Sequence, residues 1–163
     1  MAQKLWEKDT KVNSEIERFT IGKDREMDMY LAKYDVIGSM AHITMLESIG
    51  LLTPKELTTL LLGLKEIYKE IESGHFIIDE NVEDIHSQVE LVLTDKLGDM
   101  GKKIHSGRSR NDQVLLDLKL FSRAKIQEIA TETHLLFNTL LTQSEQYKSV
   151  LMPGYTHLQM TKA

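Results

Sequence analysis

The chain has 163 residues, 41% of them hydrophobic and 28% charged, the make-up of a folded globular chain rather than a disordered one. With 20 Lys and Arg against 25 Asp and Glu the net charge is -5, which argues against general nucleic-acid binding. Cysteine is absent, so disulfides, thiolate nucleophiles and cysteine metal sites are excluded together.

The opening stretch, MAQKLWEKDTKVNSEIERF, alternates charges and lacks the apolar run of a signal peptide. No apolar run elsewhere is long enough to span a bilayer, so the expectation is a cytoplasmic protein with no membrane partner. The first helical pattern covers residues 26–48, with Met27, Leu31, Tyr34, Ile37 or Gly38, Ala41, Met45 and Leu46 recurring at three- and four-residue steps. Gly50 ends it. Thr53, Pro54 and Glu56 then supply a capping box and a proline at the first helical position. Leu57, Leu60, Leu61, Leu64, Ile67, Tyr68 and Ile71 mark the buried face of that second helix, which stops at Ser73-Gly74.

His75 to Ile78 is the one strand candidate, or else a short extended linker. A third helix is expected over 82–97, with Val82, Ile85, Val89 and Val92 or Leu93 inward and Gly98 as its stop. Between Gly107 and Pro153 nothing breaks a helix, so residues 112–149 predict a rod of roughly 57 Å. Val114, Leu118, Phe121, Ile126, Ile129, Leu136, Leu140 and Leu141 lie along it, and neighbouring leucines broaden the stripe. A chain this short cannot cover such a rod, which should therefore pack against helices from elsewhere. The fold class is all-α.

Three clusters carry chemistry. In Lys102-Lys-Ile-His-Ser-Gly-Arg-Ser-Arg-Asn-Asp112, Gly107 permits close backbone approach to a ligand, and Ser109 with Asp112 can cap the following helix. A helix N-terminus favours an anion, Arg108 and Arg110 can fork onto carboxylates, and Asn111 offers an amide donor. The plainer reading is a solvated basic turn. In Glu83-Asp-Ile-His86, a helix sends Asp84 and His86 to different faces, and no further ligand stands at metal spacing, so zinc is not indicated. In Met152-Pro-Gly-Tyr-Thr-His-Leu-Gln159, a sharp turn precedes Thr156 and His157, and an ordinary histidine suits proton transfer near neutrality. His42, His75 and His134 read as structural or solvated.

These clusters, in this order, resemble the argininosuccinate lyase family of the fumarase/aspartase superfamily. GRSRNDQ at 107–113 resembles its most characteristic run. Glu83-Asp-Ile-His86, Pro153 to Gln159, and Asp35 followed by Gly38-Ser-Met-Ala-His42 are similar to other blocks. The resemblance implies β-elimination of argininosuccinate to arginine and fumarate in arginine biosynthesis, with no metal or organic cofactor. By that resemblance Arg110, Asn111 and Thr156 bind substrate carboxylates, Arg108 and Ser109 support their loop, and His157 and His86 are the catalytic histidines. It further implies an N-terminal helical domain at 1–111 and, at 112–163, the start of the superfamily's central helical bundle. In that bundle four chains join, and each active site draws on three of them.

The sequence departs from the family at three places. Leu5-Trp6 is followed by Glu-Lys-Asp instead of the family's Gly-Gly-Arg, and Asp24 stands near the position of a substrate-contacting serine. An aspartate there would repel a dicarboxylate unless it faced the arginine end of the substrate. The family's mobile Gly-Ser-Ser loop, with its catalytic serine, has no counterpart before Ala163, so the chain alone is expected to be inactive. The alternative is a non-catalytic association module, like the lens crystallins recruited from this enzyme.

Overall fold

The computed structural model describes residues 14–161, so the departure at Leu5-Trp6 lies outside the described residues. The helices are α1 (Ser14–Ile21), α2 (Asp24–Asp28), α3 (Ala32–Ser48), α4 (Pro54–Glu72), α5 (Ile85–Leu97), α6 (Asp99–Lys102) and α7 (Arg110–Tyr147). A 3-10 turn at Lys103–His105 follows α6, and two short strands, β1 (Tyr155–Thr156) and β2 (Gln159–Met160), form a hairpin after α7. The class is all-α, as expected. The chain divides into two compact units, the first ending at Ser122 and the second beginning at Arg123.

In the first unit α3, α4 and α5 enclose the core. Val36, Ile43, Leu60, Leu64, Ile67, Val89 and Leu93 are all fully buried. Each such side chain contributes about 1.5–3 kcal/mol by leaving water. Helix α4 forms as its sequence dictates. Thr53 accepts from the Glu56 N–H, the Glu56 carboxylate accepts from the Thr53 N–H, and Pro54 occupies the first turn. Lys103 pairs with the same Glu56, and these contacts hold the carboxyl down to about 2.

The first helical pattern is corrected. Instead of one helix over 26–48, α2 ends at Asp28 and α3 begins at Ala32. Three successive i to i+3 bonds, from the N–H groups of Tyr30, Leu31 and Ala32, tighten the backbone between them. On the following helix Ile37 and Met45 are 41% and 42% exposed and Ala41 is exposed too, while Met27, on α2, is 50% exposed. Ala32, Val36, Ile43 and Leu46 form the apolar face, while Asp35, Gly38 and Ser39 are buried on another.

Helix α5 starts three residues later than the expected Val82, because Asp84 adopts extended backbone (φ -148°, ψ 171°) and caps the Ser87 N–H at 2.8 Å. The Asp28 carboxylate accepts from the Ile85 N–H at 3.1 Å, so α2 helps to cap α5. Residues 75–78 form a linker, not a strand. Phe76 is buried, and the Gln88 side chain ties down Asp79 through its backbone N–H and its carboxylate.

In the second unit, α7 continues from 123 to Tyr147, and its expected apolar positions Ile126, Ile129, Leu136, Leu140 and Leu141 are 55% to 66% exposed. The hairpin pairs Tyr155 with Met160 and Thr156 with Gln159. Its tip places His157 at φ 51° and Leu158 at φ 64°, the backbone of a type I′ turn with neither residue a glycine. No helix among the described residues is long and apolar enough to cross a membrane.

Helix α6 folds back on α5 at Gly101, where an added Cβ would stand 2.5 Å from the Leu93 carbonyl carbon and the Thr94 nitrogen. Those are backbone atoms and cannot swing aside. Gly101→Ala should therefore cost about 3 kcal/mol, measured as a lowered urea midpoint with an unchanged slope.

Candidate functional site

Steps of four and three residues set Asp35, Ser39 and His42 on one face of α3. The opening turns of α7 lie against that face. An added Cβ at Gly38 would stand 2.8 Å from a Leu116 methyl, so the glycine lets the two helices approach. Gln113 and Asp117, four apart on α7, point inward and are 4% and 1% exposed. Helix α5 brings in His86, 6% exposed.

Two of these side chains, His86 and Gln113, meet on the Asp35 carboxylate. The His86 Nδ1 lies 2.7 Å from Asp35 Oδ1, and Gln113 Nε2 donates to the same oxygen at 3.2 Å. Asp117 Oδ2 lies 3.8 Å from His86 Nδ1. Asp35 Oδ2, Gln113 Oε1 and both Asp117 oxygens are buried without a hydrogen-bond partner. Arg108, half-buried, donates from Nη2 to Ser39 Oγ at 2.8 Å, and its charge acts on Asp35 and Asp117.

The predicted carboxylate-binding turn stands beside this cluster. Gly107 has φ 73°, a conformation that favours glycine. His42 Nε2 reaches the Ser106 carbonyl at 2.8 Å and braces the turn from α3. Ser109 and Asp112 cap α7 reciprocally: the Ser109 N–H donates to the Asp112 carboxylate at 2.8 Å, and the Asp112 N–H to Ser109 Oγ at 3.4 Å. That box starts the helix at Arg110, two residues before the expected 112.

Neither arginine side chain projects as an open cation. Arg108 turns inward, and Arg110 Nη1 lies 3.0 Å from an Asp84 oxygen and 3.3 Å from Glu83, with Nη2 donating to Ser87 Oγ at 2.9 Å. Asn111 and Ser109 are exposed at the helix mouth. Asp24 is exposed at the start of α2. The first unit thus brings His86, Arg108, Ser109, Arg110 and Asn111 to one region, whereas Thr156 and His157 sit on the hairpin of the second unit. Asp84 and His86 do part company, one to Arg110 and the other to Asp35.

Sequence reasoning left Asp117 unassigned, and it read Asp35, Ser39 and Gln113 only as parts of motif blocks. The available signal was polar residues at helical spacing on faces that must be covered: 35, 39 and 42 on α3, and 113 and 117 on α7. Asp35, His86 and Asp117 each offer one ligand atom, all within 4.8 Å of one another, a spacing that could hold a cation. The nearby Arg108 charge and the proton between His86 and Asp35 already balance the carboxylates, so the arrangement suits proton sharing better.

Burial, then the Asp35 charge, pushes the Asp117 carboxyl up to about 7. Burial opposes a charged His86, but the hydrogen bond to Asp35 and the surrounding carboxylates outweigh it and raise the ring above its ordinary value. Folded Asp117 keeps its proton to about pH 7, whereas an unfolded aspartate loses it near 3.8, so stability falls as pH rises between them. His86 adds to that slope, since its contribution is complete below 6.5 and is lost as pH rises through its raised folded value. Asp117→Asn should flatten the lower part of the slope, leaving the variant about 4 kcal/mol more stable than the parent at pH 8 and nearly equal at pH 4. Urea melts at the two pH values check it.

A family model described as Lyase matches residues 2–163. The argininosuccinate lyase of Bacteroides thetaiotaomicron is 72% identical over 160 residues, which cover 98% of this chain and 36% of that protein. The Bacteroides fragilis argininosuccinate lyase is 71% identical with the same coverage. The Methylococcus capsulatus argininosuccinate lyase is 42% identical over 162 residues, 98% of this chain and 34% of that protein. The chain thus spans about a third of the length of these curated relatives. With all but its first residue inside the match, the chain belongs to the lyase family.

Proposed function

We propose that this chain serves an argininosuccinate lyase, which splits argininosuccinate into arginine and fumarate in arginine biosynthesis. The observation that carries the reading is the run Gly107 to Gln113 set at the mouth of α7, with Ser109 and Asn111 exposed there and Arg110 held beside them. In the elimination a proton leaves the carbon next to a carboxylate, and negative charge gathers on that carboxylate before the carbon–nitrogen bond breaks. Fixed donors around it lower the barrier because they meet the charge where it develops. Asn111 and Thr156 serve as those donors, together with the guanidinium N–H groups of Arg110 that its contacts with Asp84, Glu83 and Ser87 leave over, and Ser109 and Arg108 hold their loop. His157 and His86 exchange protons with the reacting carbon and the departing guanidinium nitrogen. Asp24, exposed at the start of α2, sits toward the arginine end of the substrate.

The acting protein is a cytoplasmic homotetramer, joined through the apolar positions of α7 from Ile126 to Leu141, so that Thr156 and His157 of one copy serve another. The exposed apolar stripe equally favours a second reading, a helical association module without catalysis.

A hybrid separates the two. This chain replaces the matched 160 residues of the Bacteroides thetaiotaomicron relative. The hybrid should release fumarate from argininosuccinate and not from adenylosuccinate or aspartate. Asn111→Ala and His157→Ala should each lower turnover by about 100-fold or more with circular dichroism unchanged. Near-parental turnover in both variants would discard the site assignment, and a folded, inactive hybrid would leave the association module standing.

The tetramer has its own check. Leu136→Lys together with Leu140→Lys should shift the hybrid's sedimentation from tetramer to smaller species, and an unchanged tetramer would remove α7 from the interface.

A further inference from the structure

Resting on the lyase reading, we propose that Asp35 is the positioning residue for His86, fixing its proton on Nδ1 and leaving Nε2 as the nitrogen that exchanges a proton with substrate. Asp35 and His86 are 51 residues apart in the chain and 2.7 Å apart in the fold, both almost wholly buried. Among the described residues no other histidine is bonded to a carboxylate. His42 contacts the Ser106 carbonyl and His75 the Ser73 hydroxyl.

A carboxylate on one ring nitrogen does two things. It selects the tautomer by accepting the Nδ1 proton, and it stabilises the imidazolium that forms when Nε2 takes up another. Asp35 is itself aimed. Its Oδ1 receives both His86 and Gln113, so the carboxylate cannot rotate without losing two donors. Gln113 stands two residues beyond Asn111, which ties the ring's orientation to the helix mouth where substrate carboxylates are placed.

Every element around the ring contributes charge. Asp28 faces it from α2, Asp35 from α3, Asp84 from its own helix cap and Asp117 from α7, while Arg108 faces Asp35 and Asp117 from the loop. Of these carboxylates, Asp35 alone is within hydrogen-bond distance of the ring, and the next, Asp117, stands at 3.8 Å. Asp35 therefore decides the tautomer, while the others act only on the charge.

The test reads the ring directly, by nitrogen-15 NMR of histidine-labelled 163-residue chain, with His86 assigned by loss of its signals in His86→Gln. Neutral His86 should carry its proton on Nδ1, and Asp35→Asn should lower its titration midpoint by about 1 unit or more. In the hybrid lyase, Asp35→Asn should lower kcat with KM little changed, and move the limb of the pH profile that belongs to His86 to lower pH by the same amount. A neutral ring protonated on Nε2 in the parent overturns the proposal, and that reading stands even if Asp35→Asn fails to fold. So does an unmoved midpoint, or an unmoved pH profile. A hybrid without activity whose His86 shows the expected ring state supports the role of Asp35 and counts against the lyase reading instead.

Discussion

The buried carboxylate of Asp35 is the constraint on which the first unit depends. Removing a charge from water costs several kcal/mol unless the protein returns its hydrogen bonds, and here they come from α5 through His86 and from α7 through Gln113. Loss of either donor would leave a buried charge short of partners, so the three helices are coupled by more than apolar contact. Gly38 makes the coupling possible, since Leu116 of α7 fills the place of its missing side chain. The polar face of α3 thus orients α7, while its apolar face joins the core with α4 and α5.

The same economy governs the cationic turn. Two arginines within three residues would, as free cations, attract any anion and be screened by salt. Instead Arg108 is spent on Ser39 and the buried carboxylates, and Arg110 on Asp84, Glu83 and Ser87. What the turn offers outward is directional: the Asn111 amide, the Ser109 hydroxyl and the end of α7. Such a surface discriminates by hydrogen-bond geometry more than by net charge. Under the proposed reading, that is what distinguishing one succinyl adduct from another requires.

Much of this fold is legible in the sequence, for physical reasons that differ by element. Helix α4 is announced twice, by Thr53-Pro54-Glu56 and by a leucine stripe of the right period, and both signals agree with its environment. Helix α7 is legible because nothing in it can break a helix. Helix α3 is misread because its orientation is set by Asp35 and Ser39, which a search for apolar periodicity passes over in favour of Ile37 and Met45. The start of α5 escapes for a related reason, since Asp84 acts as a cap only with its backbone extended. At the site, the order of the motif blocks points to the loop that stands beside the Asp35 cluster, but the partners of Arg108 and Arg110 lie 69 and 27 residues away and leave no local trace.

The two histidines assigned to catalysis are held by opposite means. His86 is fixed by burial, with Asp35 and Gln113 completing its surroundings inside one compact unit, so its state is a property of this chain. His157 sits at the tip of a hairpin whose strands are two residues each, in a left-handed conformation that costs a residue with a side chain about 1–2 kcal/mol. Leu158 beside it bears the same strain and is 99% exposed. Two residue pairs cannot offset that cost in isolation, since a two-stranded hairpin is marginal even with ordinary turn residues. Under the proposed reading the compensation comes from assembly, where the apolar surface of Leu158 and of α7 is covered. One histidine is then ready before the oligomer forms, and the other is placed by it.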